Sequence, residues 1–163
     1  MKLVQWLRLR RGVLRRAALA SAVAVPLVCA GAALFFDDPA ARRFLLAYVA
    51  PFFVALSLWA RCRLARVHRA SGRAVGLDAV VVGLGAARFL TGLLPFSGHM
   101  LFFVYSLLTE RTGWYRALAV VLIAETAYFK LVLWNDARSF SIGAALGVVF
   151  AGLYWILERR RDL

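Results

Sequence analysis

Leu94-Pro95-Phe96-Ser97-Gly98-His99-Met100-Leu101-Phe102 is the stretch from which the rest of the chain can be placed. A polar Ser-Gly-His runs at once into an apolar, aromatic segment. That pattern fits a functional turn at the lip of a membrane-buried helix. The sequence holds 2 histidines, and His99 is one of them.

Working outward, apolar runs flank this turn on both sides. Residues 75–94 form one, with Asp78 near its start and Arg88 in its second half. Residues 44–60 form another, containing Pro51, and residues 17–36 a third, containing Pro26. On the C-terminal side lie 96–109, then 115–134 with Glu125 and Lys130, then 140–157. Of the 163 residues, 63% are hydrophobic, and the mean hydropathy is +0.75. A soluble domain is nearer about half apolar. The expected fold is therefore all-α and polytopic, with six transmembrane helices in the order just given.

The charge agrees. There are 21 Lys+Arg against 8 Asp+Glu, a net +13. The basic residues sit beside runs of spanning length and form no soluble face, which argues against nucleic acid as a partner. With six spans both termini share a side. That side holds the basic N-terminal arm, the 61–73 loop, Arg111, Arg116 and Arg159 to Arg161, whereas the other holds Arg42, Arg43 and Arg138. The arginine-rich side is expected to be cytoplasmic. The Ser97-Gly98-His99 turn and the 135–139 turn then share the outer face. The expected location is a bacterial inner membrane, with the site facing the periplasm or exterior. Residues 1–16 read as a basic interfacial helix on the anionic lipids of the cytoplasmic face. Residues 17–157 read as the membrane domain, and 158–163 as a basic tail. Cys29 and Cys62 suggest neither a disulfide framework nor a metal pair.

Ionisable groups inside spans are costly, so Asp78, Arg88, Glu125 and Lys130 are candidates for function. A polar pocket on the outer face would be walled by Arg88, Ser97, Gly98, His99, Lys130, Asn135, Asp136 and Ser139. Arginine holds phosphate bidentately and lysine holds it as a point charge. A glycine backbone lets a ligand approach, and His99 can transfer a proton near neutral pH. Glu125 is a supporting intramembrane acid. No cofactor is expected. His99, Glu125 and Asp136 are plausible metal-ligand types, but no two stand at a recognisable ligand spacing. Gly143, Gly147 and Ala151 recur every four residues and make a smooth face for helix packing.

Phe96-Ser97-Gly98-His99 resembles the second motif of the type-2 phosphatidic acid phosphatase (PAP2) superfamily, usually Pro-Ser-Gly-His. The Phe-Ser-Gly-His form is closer to the lipid-phosphotransferase branch that includes sphingomyelin synthases. The resemblance implies a six-helix core with the first motif ending the third helix, the second opening the fourth, and the third joining the fifth to the sixth. Arg88, Ser97-Gly98-His99, and residues 130–139 occupy those places. The superfamily's third motif carries a nucleophilic histidine, and this sequence has no histidine after His99. Asn135 or Asp136 stands there instead, Ser139 or Phe140 stands where an assisting aspartate would be, and Lys130 can replace an upstream arginine. The resemblance implies an enzyme acting on a lipid phosphate or lipid-linked head group by hydrolysis or phosphotransfer. His99 would be the acid and Asp136 the base or nucleophile beside Ser139, with Arg88 and Lys130 clamping phosphate. The missing histidine keeps open a non-catalytic lipid-binding protein, membrane subunit or carrier on the same fold.

Overall fold

The computed structural model describes residues 2–67, 71–91 and 94–159. Parts of the 61–73 loop and of the 158–163 tail lie outside them. The described secondary structure is all α-helical. Two compact units divide the chain at residues 68 and 69.

The first unit is a helical hairpin. Helix α1 (Lys2–Ala33) runs without a break through the basic arm and the apolar run that follows. Nothing near Arg16 or Ala17 breaks a helix, because Leu, Ala and Arg all favour one. The helix tightens at its end, where Leu34 N donates to Gly31 O and Phe35 N to Ala32 O. Asp38 then caps α2 (Pro39–Phe44), accepting from Ala40 N at 2.9 Å and Ala41 N at 3.3 Å. Pro39 follows at the first helical position, where its missing N–H costs nothing. A π-helical segment (Leu45–Val49) leads directly into α3 (Ala50–Arg66). The wider turn precedes Pro51, which has no N–H for the ladder. Helix α3 packs along α1.

The second unit holds α4 (Gly72–Thr91), α5 (Gly98–Thr109), α6 (Gly113–Ala127) and α7 (Ala137–Arg159). A π-helical segment (Tyr128–Leu133) extends α6. Named contacts fix the directions. Gly98 meets Gly85, and Tyr105 Oη donates to Asp78 Oδ1, so α4 runs antiparallel to α5. Tyr115 Oη donates to Ser106 Oγ at 3.2 Å, so α6 is antiparallel as well. Helix α7 is parallel to α5, since Ser97 N donates to Ser139 O at one end and Trp155 Nε1 to Leu108 O at the other. Ser71 caps α4 through Ala74 N, while its own N–H donates to Glu158 Oε1 at 3.0 Å.

Helix α5 is the core of this unit. Met100, Leu101, Phe102, Phe103 and Tyr105 are buried on it. Its 12 residues span about 18 Å, shorter than the roughly 30 Å hydrocarbon layer of a bilayer. Polar groups also lie inside: Ser106, Thr109, Thr126 and Lys130 are buried. Glu110 is buried too, and its Oε1 accepts from Arg111 N, Thr112 N and Thr112 Oγ1. Outside, α6 and α7 expose Val120, Val121, Val148, Val149, Leu153 and Ile156. Two helical stretches, Leu9–Ala33 and Ala137–Arg159, are long and apolar enough to cross a membrane. Both present most of their surface outward, which indicates membrane association.

The smooth face of α7 packs on α5. A Cβ at Gly143 would stand 2.5 Å from Ser97 O and 3.1 Å from Met100 Cβ. One at Gly147 would stand 2.9 Å from Leu101 O. Gly152, by contrast, has nothing within 4 Å. Gly143→Ala and Gly147→Ala are therefore expected to destabilise the protein by roughly 1–3 kcal/mol through overpacking. Gly152→Ala should be neutral or gain up to about 1 kcal/mol. Thermal unfolding of the three variants in one detergent checks the contrast.

Candidate functional site

The outer turns are built from helix caps. Ser97 is extended (ψ 113°) and accepts from Met100 N at 3.3 Å, which starts α5. Asp136 does the same for α7, with Oδ1 accepting from Ser139 N at 3.2 Å. Short polar side chains at these positions satisfy amide donors that a helix start leaves open. The two caps then join: Ser97 N donates to Ser139 O at 2.8 Å. A turn that opens α5 and a turn that opens α7 thus meet backbone to backbone, 42 residues apart in sequence.

Lys130 reaches this junction from the π-helical segment before α7. Its Nζ donates to Asp136 Oδ2 at 2.8 Å and lies 5.1 Å from the Trp134 ring centroid. The turn closes tightly, with Asp136 N donating to Lys130 O at 2.6 Å. Asn135 makes the reversal at a left-handed φ of 49°, a region asparagine tolerates better than most residues. Its side chain is exposed. Ser139 Oγ also donates to Asp136 Oδ2. Lys130, Asp136 and Ser139 therefore converge as the sequence predicts, but on one another.

This wiring sets the chemistry of Asp136. Hydrogen bonds from Lys130 and then Ser139 hold its carboxyl down to about 2 from 3.8, against a smaller opposing effect of burial. Asp136 is ionised at neutral pH and acts as an acceptor only. A carboxylate this acidic is a weak base, and both its oxygens already accept hydrogen bonds. Its role in this arrangement is to position Lys130 and Ser139.

The remaining candidates sit around the junction. Arg88 is half-buried; its Nε donates to Phe96 O at 3.0 Å, and it has no ion pair among the described residues. It ties the end of α4 to the loop before Ser97. Gly98 is buried against α4: a Cβ there would stand 3.1 Å from Gly85 O. Its bareness serves helix packing, not ligand approach. His99 is half-buried in the first turn of α5, edge-on to Phe103 with centroids 6.0 Å apart. Glu125 is half-buried on α6, and Lys130 pairs with Asp136, not with it. No three His, Cys, Asp or Glu side chains gather into a metal-holding group among the described residues, so His99, Glu125 and Asp136 are not brought together.

Two participants escape sequence reasoning. Trp134, the ring against Lys130, reads only as an interfacial aromatic. Phe96 contributes through its carbonyl, which no side-chain pattern reports. Comparison with known protein families, curated proteins and solved structures finds no match to this chain.

Asp136 predicts a pH dependence. Its folded pKa lies below its ordinary value, so its contribution to stability is complete above about pH 4 and is lost as pH falls through about 2. Asp136→Asn should flatten the acid limb of a stability–pH curve while keeping the cap, because asparagine caps well. Asp136→Ala should lose the cap too and be less stable than Asp136→Asn by about 1 kcal/mol. Thermal unfolding between about pH 2 and 7 measures both effects.

Proposed function

We propose that the chain is an integral membrane protein of six spanning segments, both ends cytoplasmic, on the helical plan of the type-2 phosphatidic acid phosphatases. It acts on a lipid phosphate or lipid-linked head group at the outer face, by hydrolysis or phosphotransfer. The observation that carries this reading is the Ser97 N–Ser139 O hydrogen bond. It joins the turn resembling the superfamily's second motif to the turn in the place of its third.

The residues divide the work as follows. Arg88, with guanidinium donors beyond its single bond to Phe96 O, binds the phosphate. Lys130 adds a second positive charge, steadied by Asp136 and Trp134. His99 supplies the proton to the leaving oxygen. A water or lipid hydroxyl attacks phosphorus directly, since the histidine that would form a phosphoenzyme is absent. Asn135 and Ser139 shape the rim, and Glu125 supports the interior of α6.

A second reading is favoured by Asp136 itself. Its oxygens are already taken up by Lys130 and Ser139, and that suits a site that binds a head group without turning it over.

Phosphate release by the detergent-purified protein separates the two. The panel comprises lipid phosphates and diphosphates, with and without chelator. The enzyme reading expects release that falls about 100-fold or more in His99→Ala. Release indifferent to chelator marks a metal-free reaction. Equal release by wild type and His99→Ala sinks the assigned role of His99. No release from any substrate, with a phospholipid co-purifying in mass spectra, establishes the binding reading.

A further inference from the structure

The α1–α3 hairpin carries a concentration of positive charge at the end remote from its turn. Helix α1 is joined to the continuous helical run of Pro39–Arg66 by a short turn, and the two pack together, so they run antiparallel. Arg11 stands 22 residues before Ala33, and Arg61 stands 22 residues after Pro39. At about 1.5 Å per residue both lie about 33 Å from the turn. The arginines of α1 and those at the end of α3 are therefore level with one another.

No acidic residue stands in residues 1–36 or 39–77. The acids of this unit, Asp37 and Asp38, are in the turn at the opposite end. Arg10, Arg11, Arg15 and Arg16 are all exposed. Arg11 and Arg15, and equally Arg8 and Arg15 with their neighbours, fall at helical spacings where like charges repel. The first turn of α1 contains no acid, so the positive end of the helix dipole adds to the same potential. This unit supplies no carboxylate to that end.

Apolar side chains interleave with these charges and face outward. Leu9 is 79% exposed, Val13 62% and Trp6 51%. A nucleic-acid surface needs no such residues, whereas a lipid surface takes both. We propose that this end of the hairpin is a binding site for anionic phospholipid head groups, engaged by Arg10, Arg11, Arg15, Arg16 and Arg61 while Trp6, Leu9 and Val13 enter the acyl boundary. The site rests on the membrane placement above and not on chemistry at the outer turns.

Thermal unfolding of the full chain in neutral detergent tests it, with phosphatidylglycerol, cardiolipin or phosphatidylcholine added. At about a hundredfold excess over Kd, either anionic lipid should raise Tm by roughly 5–10 °C. Phosphatidylcholine should not. The shift should shrink as salt rises from about 50 to 500 mM. It should be lost in the variant R10Q/R11Q/R15Q/R16Q and reduced in R15Q/R16Q, which retains more of the charge if the fourfold variant fails to fold. His99→Ala should keep it. Equal stabilisation by phosphatidylcholine, or an undiminished shift in R15Q/R16Q, overturns the proposal. A shift lost in His99→Ala but kept in the arginine variants also overturns it, and moves the lipid to the outer site. Stabilisation by a single-stranded oligonucleotide but by no phospholipid overturns it in favour of a nucleic acid.

Discussion

Backbone pressed against backbone on two sides of one helical turn is the constraint on which the second unit depends. Gly98 faces Gly85 on α4, and the Ser97 main chain faces Gly143 and Ser139 on α7. Such approaches require residues without side chains at the contact. Once made, they fix where α5 begins relative to both neighbours. The buried aromatic body of α5 then follows, as does the meeting of the two outer caps. In a protein whose outer surface is largely apolar, this close contact does work that burial of hydrocarbon does in water.

Polar groups are distributed to match. Serine and threonine hydroxyls, Glu110 and Lys130 point inward, and valine and leucine point outward on α6 and α7. Each inward group with a printed bond is satisfied locally: Thr109 Oγ1 donates to Tyr105 O, and Glu110 accepts from its own following turn. Local satisfaction matters because an unmet polar atom costs most where water is absent. Lys130 follows the same rule, which is why it closes on Asp136 and Trp134.

Much of the helical plan is legible in the sequence because apolar runs of the right length are separated by polar turns. The packing face at Gly143, Gly147 and Ala151 is legible for the same kind of reason, a simple period on one helix. The partner of Lys130 is not. Glu125 and Asp136 are five and six residues from it, and on a regular helix neither faces it. A π-helical turn and a left-handed Asn135 decide between them, and neither leaves a clear mark in residue type. Ser97-Gly98-His99 illustrates a different difficulty. A motif suggesting chemistry and a motif building a helix start use the same small polar residues. Here Ser97 and Gly98 have full structural duties, and His99 alone has its side chain left for other work. The boundary expected at residue 16 is absent because charge changes there while helix propensity does not.

The π-helical segment Tyr128–Leu133 has a consequence for how this chain can vary. A π turn holds one residue more than the α turn it replaces. Deleting a residue within it would restore an uninterrupted α-helix and turn everything beyond by about 100°. Lys130, now buried, would swing toward the apolar exterior, and the cap at Asp136 would lose the geometry that brings it to Ser97. Insertions and deletions here are thus felt as changes of direction and not of length. The same chain tolerates length changes far better in the turn at residues 34–38, where a fresh cap restarts the helix. Sequence drift in this protein is channelled accordingly: the outer end is held by a count of residues, not only by their identity.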